Sequence, residues 1–168
     1  DARAFSRDGY LTDQSRLRDV PYGRFSSARS GCGWVAAYNI LHAAGWDPSA
    51  AGFAGGWKNG LLLGGVLGTN LFFLLAWLRC QGLRPRLALS PLTAALRMRR
   101  CPAGFVYYFT GSGMHFAAFV AGRSGSVPLF ERGVRPSGGV HAGRVPAQIC
   151  PAVLLLFVYQ RYKMTSTL

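Results

Sequence analysis

At 168 residues, half of them apolar, the chain is long enough to bury one sizeable core without help from disulfides or a metal. Nineteen basic residues, seventeen of them arginine, stand against six acids and give a formal charge of +13. The arginines are scattered instead of forming a stripe with stacking aromatics, which argues against a nucleic-acid groove; contact with a membrane surface stays compatible with the charge.

In chain order, residues 1–30 are polar and irregular and read as an arm or loop, leaving residues 31–168 as a single domain. A helix is predicted over residues 32–44, closed by Gly45 as a C-cap. Asp47-Pro48 opens a second short helix through the alanines to about Trp57. The uncharged stretch 59–78 is long enough to cross a bilayer. Its first half is rich in glycine, however, and Thr69 or Asn70 is a good N-cap, so it reads as a loop followed by a buried helix over 70–80 and not as a transmembrane span.

From Leu83 the pattern turns to strands, predicted over 84–89, 104–110, 115–122, 127–131 and 152–161, with a helix between Ser90-Pro91 and about Arg99. Thr110-Gly111-Ser112-Gly113 reads as a hairpin turn. Helices first and strands later imply an α+β domain with a mostly antiparallel sheet.

Four cysteines occur, at 32, 80, 101 and 150, without a Cys-x-x-Cys pair or a close histidine, so no metal site and no cofactor is expected. Cys32 lies in Gly31-Cys32-Gly33-Trp34 at the start of the first helix. There the unpaired backbone N–H groups and the helix dipole stabilise a thiolate, and the flanking glycines leave room for a substrate backbone. Cys80 falls at a helix C-terminus, and Cys101 and Cys150 each precede proline; these three read as small core residues. Trp34, Trp57, Trp77 and Phe25 also read as core.

Three histidines compete for the role of base. His42 lies ten residues along the same helix as Cys32, about 15 Å away, and is excluded. His141 stands in a glycine-rich loop without local support, whereas His115 opens an apolar strand after a flexible turn. Glu131 is the sole acid after Asp47 and ends the strand that follows, where it could orient the histidine or simply pair with a nearby arginine.

The segment Gly31-Cys32-Gly33-Trp34 with Ala36-Ala37-Tyr38-Asn39, the Gly64-Gly65-Val66-Leu67-Gly68-Thr69-Asn70 stretch, and Met114-His115-Phe116-Ala117-Ala118-Phe119-Val120 followed by an acid sixteen residues after the histidine carry a resemblance. Across residues 24–132 the chain resembles stand-alone bacterial relatives of the bacteriocin-processing, double-glycine cysteine peptidases of the papain-like superfamily. The resemblance implies a papain-like fold with Cys32 as nucleophile, His115 as general base and Glu131 as orienting group. Such peptidases usually carry a glutamine six residues before the cysteine as an oxyanion donor. Here that position is Ser26, so the backbone of Cys32 and the Ser26 hydroxyl become the oxyanion candidates, and weak or absent activity is compatible with the shorter side chain.

The leading expectation is thus a cysteine hydrolase, a peptidase or acyltransferase, acting on a peptide or protein through a Cys-His-Glu triad and an acyl-enzyme. The alternatives are a non-catalytic peptide-binding module on the same fold, or a basic protein of nucleic-acid or membrane surfaces. The compartment stays open, cytoplasmic and secreted both being compatible, as does the oligomeric state.

Overall fold

The computed structural model describes residues 1–57, 60–66, 68–90, 93, 101, 103–110, 113–120, 126–127, 129–130, 140–141 and 155–160. It is an α+β architecture in which a short N-terminal hairpin precedes the helices and the other antiparallel sheets follow them.

Residues 1–30 are irregular in secondary structure but packed. Two single 3-10 turns, Ala2–Ala4 and Gln14–Arg16, are each opened by an aspartate, Asp1 or Asp13, whose carboxylate accepts a backbone N–H. A two-residue hairpin follows, β1 (Pro21–Tyr22) with β2 (Phe25–Ser26), its turn made by Gly23 at φ +65°. A single helical turn, α1 (Ser27–Ser30), leads into α2 (Cys32–Ala43). Ala4, Leu11, Leu17 and Tyr22 from this segment are all buried in the main core.

Helix α2 ends where glycine permits the left-handed turn: Gly45 has φ +85° and its N–H bonds the carbonyl of His42. Helix α3 (Ala50–Gly55) starts after Ser49, whose hydroxyl accepts the Gly52 N–H. Asn70 caps α4 (Leu71–Cys80), its side-chain oxygen accepting the N–H groups of Phe72 and Phe73 at 2.9 and 3.3 Å. No helix among the described residues is long and apolar enough to cross a membrane. Trp57 and Trp77 meet with centroids 4.9 Å apart, and Phe53 and Phe73 pack edge-on against them, joining α3 to α4.

The main sheet runs β3-β9-β4-β5-β7, formed by β3 (Arg84–Ala88), β9 (Leu155–Gln160), β4 (Ala103–Thr110), β5 (Gly113–Val120) and β7 (Leu129–Phe130), with every neighbour antiparallel. Register partners Thr110 and Gly113 leave two residues for the β4–β5 turn. The predicted strand over 127–131 is divided. Its first part belongs to β6 (Ser126–Val127), which pairs with β8 (Val140–His141) in a separate sheet, so His141 lies on a short strand and not in a loop. The predicted helix after Ser90 falls almost wholly outside the described residues, though Ser90 and Thr93 exchange hydroxyl and backbone bonds of the N-cap kind.

Helix α2 lies against β5 and β4. The sheet face turned to it carries Phe105 and Tyr107 of β4 and Phe116 and Ala118 of β5, which join Trp34, Ala37, Ile40 and Leu41 in one core.

Candidate functional site

The N-terminus of α2 is pinned by the segment before it. Gln14 donates from Nε2 to the carbonyl of Ser27 at 2.7 Å, and the Ser27 N–H bonds the carbonyl of Val20 at 2.7 Å. The Ser27 hydroxyl accepts the indole N–H of Trp34 at 3.0 Å, which ties α1 to α2 across Gly31. A methyl group on Gly31 would strike that indole and the Ser27 carbonyl, and one on Gly33 would strike the Thr69 side chain. The glycines flanking Cys32 therefore serve close packing within the protein. The space beside them that the sequence suggests for a substrate is filled by Trp34 and Thr69.

Cys32 thus stands at the first position of a helix held from both sides. Backbone N–H groups of Phe116 on β5, of Gly33 and of Cys32 itself lie near its sulfur. These donors favour the thiolate, but burial outweighs them and pushes the thiol pKa up. The helix terminus alone predicts the opposite direction. The difference arises because Cys32, itself half-buried, packs against the core, where the hydration its thiolate would lose outweighs what the neighbouring backbone donors replace.

Two phenols share the pocket. Tyr22 and Tyr107 both feel the Cys32 thiolate, and both titrate above the ordinary tyrosine value, chiefly because they are buried. The Tyr22 hydroxyl is bonded to the Thr69 hydroxyl at 2.9 Å, and the Tyr107 hydroxyl points at the sulfur of Met114.

His115 is one residue from the Phe116 N–H that meets Cys32. Side chains alternate along a strand. With Phe116 and Ala118 turned to α2, His115 belongs to the opposite face, where its ring stacks on Tyr108, its register partner, at 5.8 Å between centroids. The structure therefore brings Cys32 to the backbone beside His115 and sets the imidazole over Tyr108.

Ser26 stands at the N-cap of α1, half-buried, with its hydroxyl making no capping bond. Glu131 lies outside the described residues; the strand before it, β7, does run antiparallel to β5, with Phe130 opposite Ala118. Among the other cysteines Cys101 is buried, whereas Cys80 is exposed at the outward end of α4 and is not a core residue; Cys150 lies outside the described residues. Trp34 and Trp57 are fully buried, Trp77 packs partly buried against the core, and Phe25 is half-buried. His42 is structural. Its Nε2 donates to the carbonyl of Asp8 at 2.6 Å and its ring lies edge-on to Tyr10, far along α2 from the thiol.

Tyr22, Thr69, Tyr107, Tyr108 and Phe116 are absent from the sequence reading of the site. Two of them were within reach: the antiparallel register of β4 and β5, with Thr110 opposite Gly113, sets Tyr108 opposite His115 and Tyr107 opposite Phe116. Tyr22 and Thr69 meet only through the tertiary fold.

Fold and site together define an α+β protein with a half-buried thiol at the N-terminus of a helix that packs against a strand carrying a histidine. No family model matches the chain, and no curated protein matches it.

Proposed function

We propose that the protein is a papain-like cysteine hydrolase whose nucleophile is Cys32 and whose base is His115, with Glu131 as the orienting group. The observation that carries this reading is the packing of α2, which begins at Cys32, against β5, the strand that carries His115. In the reaction the Cys32 sulfur attacks a peptide carbonyl, and its proton passes to His115, which returns it to the leaving amine. Water then cleaves the acyl-enzyme. The Cys32 N–H and the Ser26 hydroxyl are the candidate oxyanion donors. His115 lies on the face of β5 turned away from Cys32, so attack requires β5 to shift its register and turn that face over; a change of side-chain rotamer alone does not bring the imidazole to the sulfur.

A second reading, a non-catalytic peptide-binding module on the same fold, is favoured by two specific observations. Burial pushes the Cys32 thiol pKa up, against thiolate formation, and the strand alternation sets His115 on the far face.

One measurement separates the two. The rate of iodoacetamide alkylation at Cys32 is followed against pH by peptide mass mapping, in the parent and in His115→Ala. The hydrolase reading expects a labelling phase that persists below pH 7 and is lost in His115→Ala, because only the ion pair supplies thiolate there. A single titration above the ordinary thiol range, unchanged by the substitution, establishes the binding module instead.

A further inference from the structure

The loop before α4 has a tip that its own packing does not explain. An antiparallel bridge between Leu61 and Thr69 and a bond from the Leu62 N–H to the Gly68 carbonyl, 3.0 Å, close its base. The Arg24 N–H bonds the Gly64 carbonyl at 3.0 Å, so the β1–β2 turn braces the tip from the side. Within this held loop Leu63 takes φ +49° and ψ +44°, in line with Gly64 at φ +65° and Gly65 at φ +99°. A left-handed leucine costs roughly 1–2 kcal/mol, a cost that glycine avoids and asparagine lessens. The Leu63 side chain is nonetheless 71 % exposed, and Val66 is 56 % exposed beside it. Backbone strain is thus spent on holding aliphatic side chains out in water.

The tip has a cation at its side: exposed Arg24 runs along Gly64. The ion pairs among the described residues join Arg3 and Arg16 to Asp1 and Asp13, far along the chain. The sequence places no acid between Asp47 and Glu131. Phe72, in the first turn of α4, is also 78 % exposed.

We propose that this tip docks on an anionic bilayer surface, Leu63 and Val66 entering the acyl boundary while Arg24 meets a lipid phosphate. An exposed aliphatic turn with a guanidinium group beside it matches an interface that is apolar below and anionic above. A peptide partner calls for a concave groove, whereas these side chains stand out from a turn. The proposal is independent of the chemistry at Cys32.

The test is flotation of the full chain with vesicles of phosphatidylcholine alone, or with about one quarter phosphatidylserine, for the parent, Leu63→Asn and Arg24→Gln. Asparagine suits the left-handed backbone, so Leu63→Asn keeps the unfolding midpoint while removing the apolar side chain. The parent is expected to float with the anionic vesicles, Arg24→Gln about fivefold more weakly and Leu63→Asn about tenfold more weakly. Equal flotation of parent and Leu63→Asn overturns the proposal in favour of bulk adsorption by net charge. It is equally overturned by absent flotation, whether the tip then proves to mediate self-association in sedimentation velocity or retention on an acidic peptide.

Discussion

At the residue scale the neighbourhood of Cys32 is set by the absence of side chains at 31 and 33. Gly33 occupies the second position of α2, where alanine is ordinarily about 1 kcal/mol the better helix former. Here the added methyl would run into Cβ, Oγ1 and Cγ2 of Thr69, whose hydroxyl is already committed to Tyr22. Thr69 is fully buried and follows a loop bridged at Leu61, so it cannot swing away. Overpacking should dominate, and Gly33→Ala is expected to lose about 1–3 kcal/mol in urea unfolding. A stability equal to or above the parent would show that Thr69 does not close over the helix. Nothing in the one-dimensional spacing around Cys32 announces this contact, because Thr69 is 36 residues away in the sequence. The same glycines read with equal economy as room for a substrate.

At the element scale the segment ahead of α1 behaves as part of the core. Asn39, fully buried in the middle of α2, spans the backbone of Leu11, accepting its N–H at 2.8 Å and donating to its carbonyl at 2.9 Å. Asn39→Ala leaves both groups of Leu11 buried and unpaired, and the expected loss is about 2–4 kcal/mol. Hydrogen exchange should also quicken around residue 11, where the segment is tied to the helix; exchange that stays at the parent's rate would rule out Asn39 as the tie. A lone asparagine in a helical pattern signals neither its partner nor its burial, so residues 1–30 read as an irregular arm although Leu11 and Leu17 carry core side chains. Two of the helices were legible at their ends: Gly45 follows α2 and Gly82 follows α4 with positive φ, and Asn70 caps the start of α4. The β4–β5 hairpin was legible for the same local reason. The sheet order was not, since β9 inserts between β3 and β4 from more than forty residues downstream. Long-range pairing of that kind leaves no periodic mark on the sequence.

At the scale of the whole molecule, charge and burial combine in the response to pH. Cys32 and the phenols of Tyr10, Tyr22, Tyr38 and Tyr107 all titrate above their ordinary values, desolvation being the first cause for each. The unfolded chain releases these protons from the ordinary values of 9.0 for the thiol and 10.0 for the phenols upward, while the folded chain retains them. Above about pH 9 the folded state therefore binds more protons than the unfolded state, and stability must fall as pH rises. Below that window these groups are protonated in both states and contribute no slope. Asp13 has the opposite sign. Its carboxyl is lowered first by the Ser15 hydroxyl bond and also by Arg16, so its small contribution is present above the ordinary 3.8 and lost as pH falls through its folded value. Tyr22 makes the alkaline effect separable, because its shift upward is large and its hydroxyl has one named partner. Tyr22→Phe should cost about 1 kcal/mol near neutral pH by breaking the bond to Thr69. It also removes one group whose ionisation drives unfolding. Midpoints of parent and Tyr22→Phe, followed by thermal unfolding from about pH 7 to about pH 11, are therefore expected to converge at the alkaline end. Two curves that stay parallel across the range would mean that the Tyr22 phenol is no more protected from ionisation in the folded protein than in the unfolded chain.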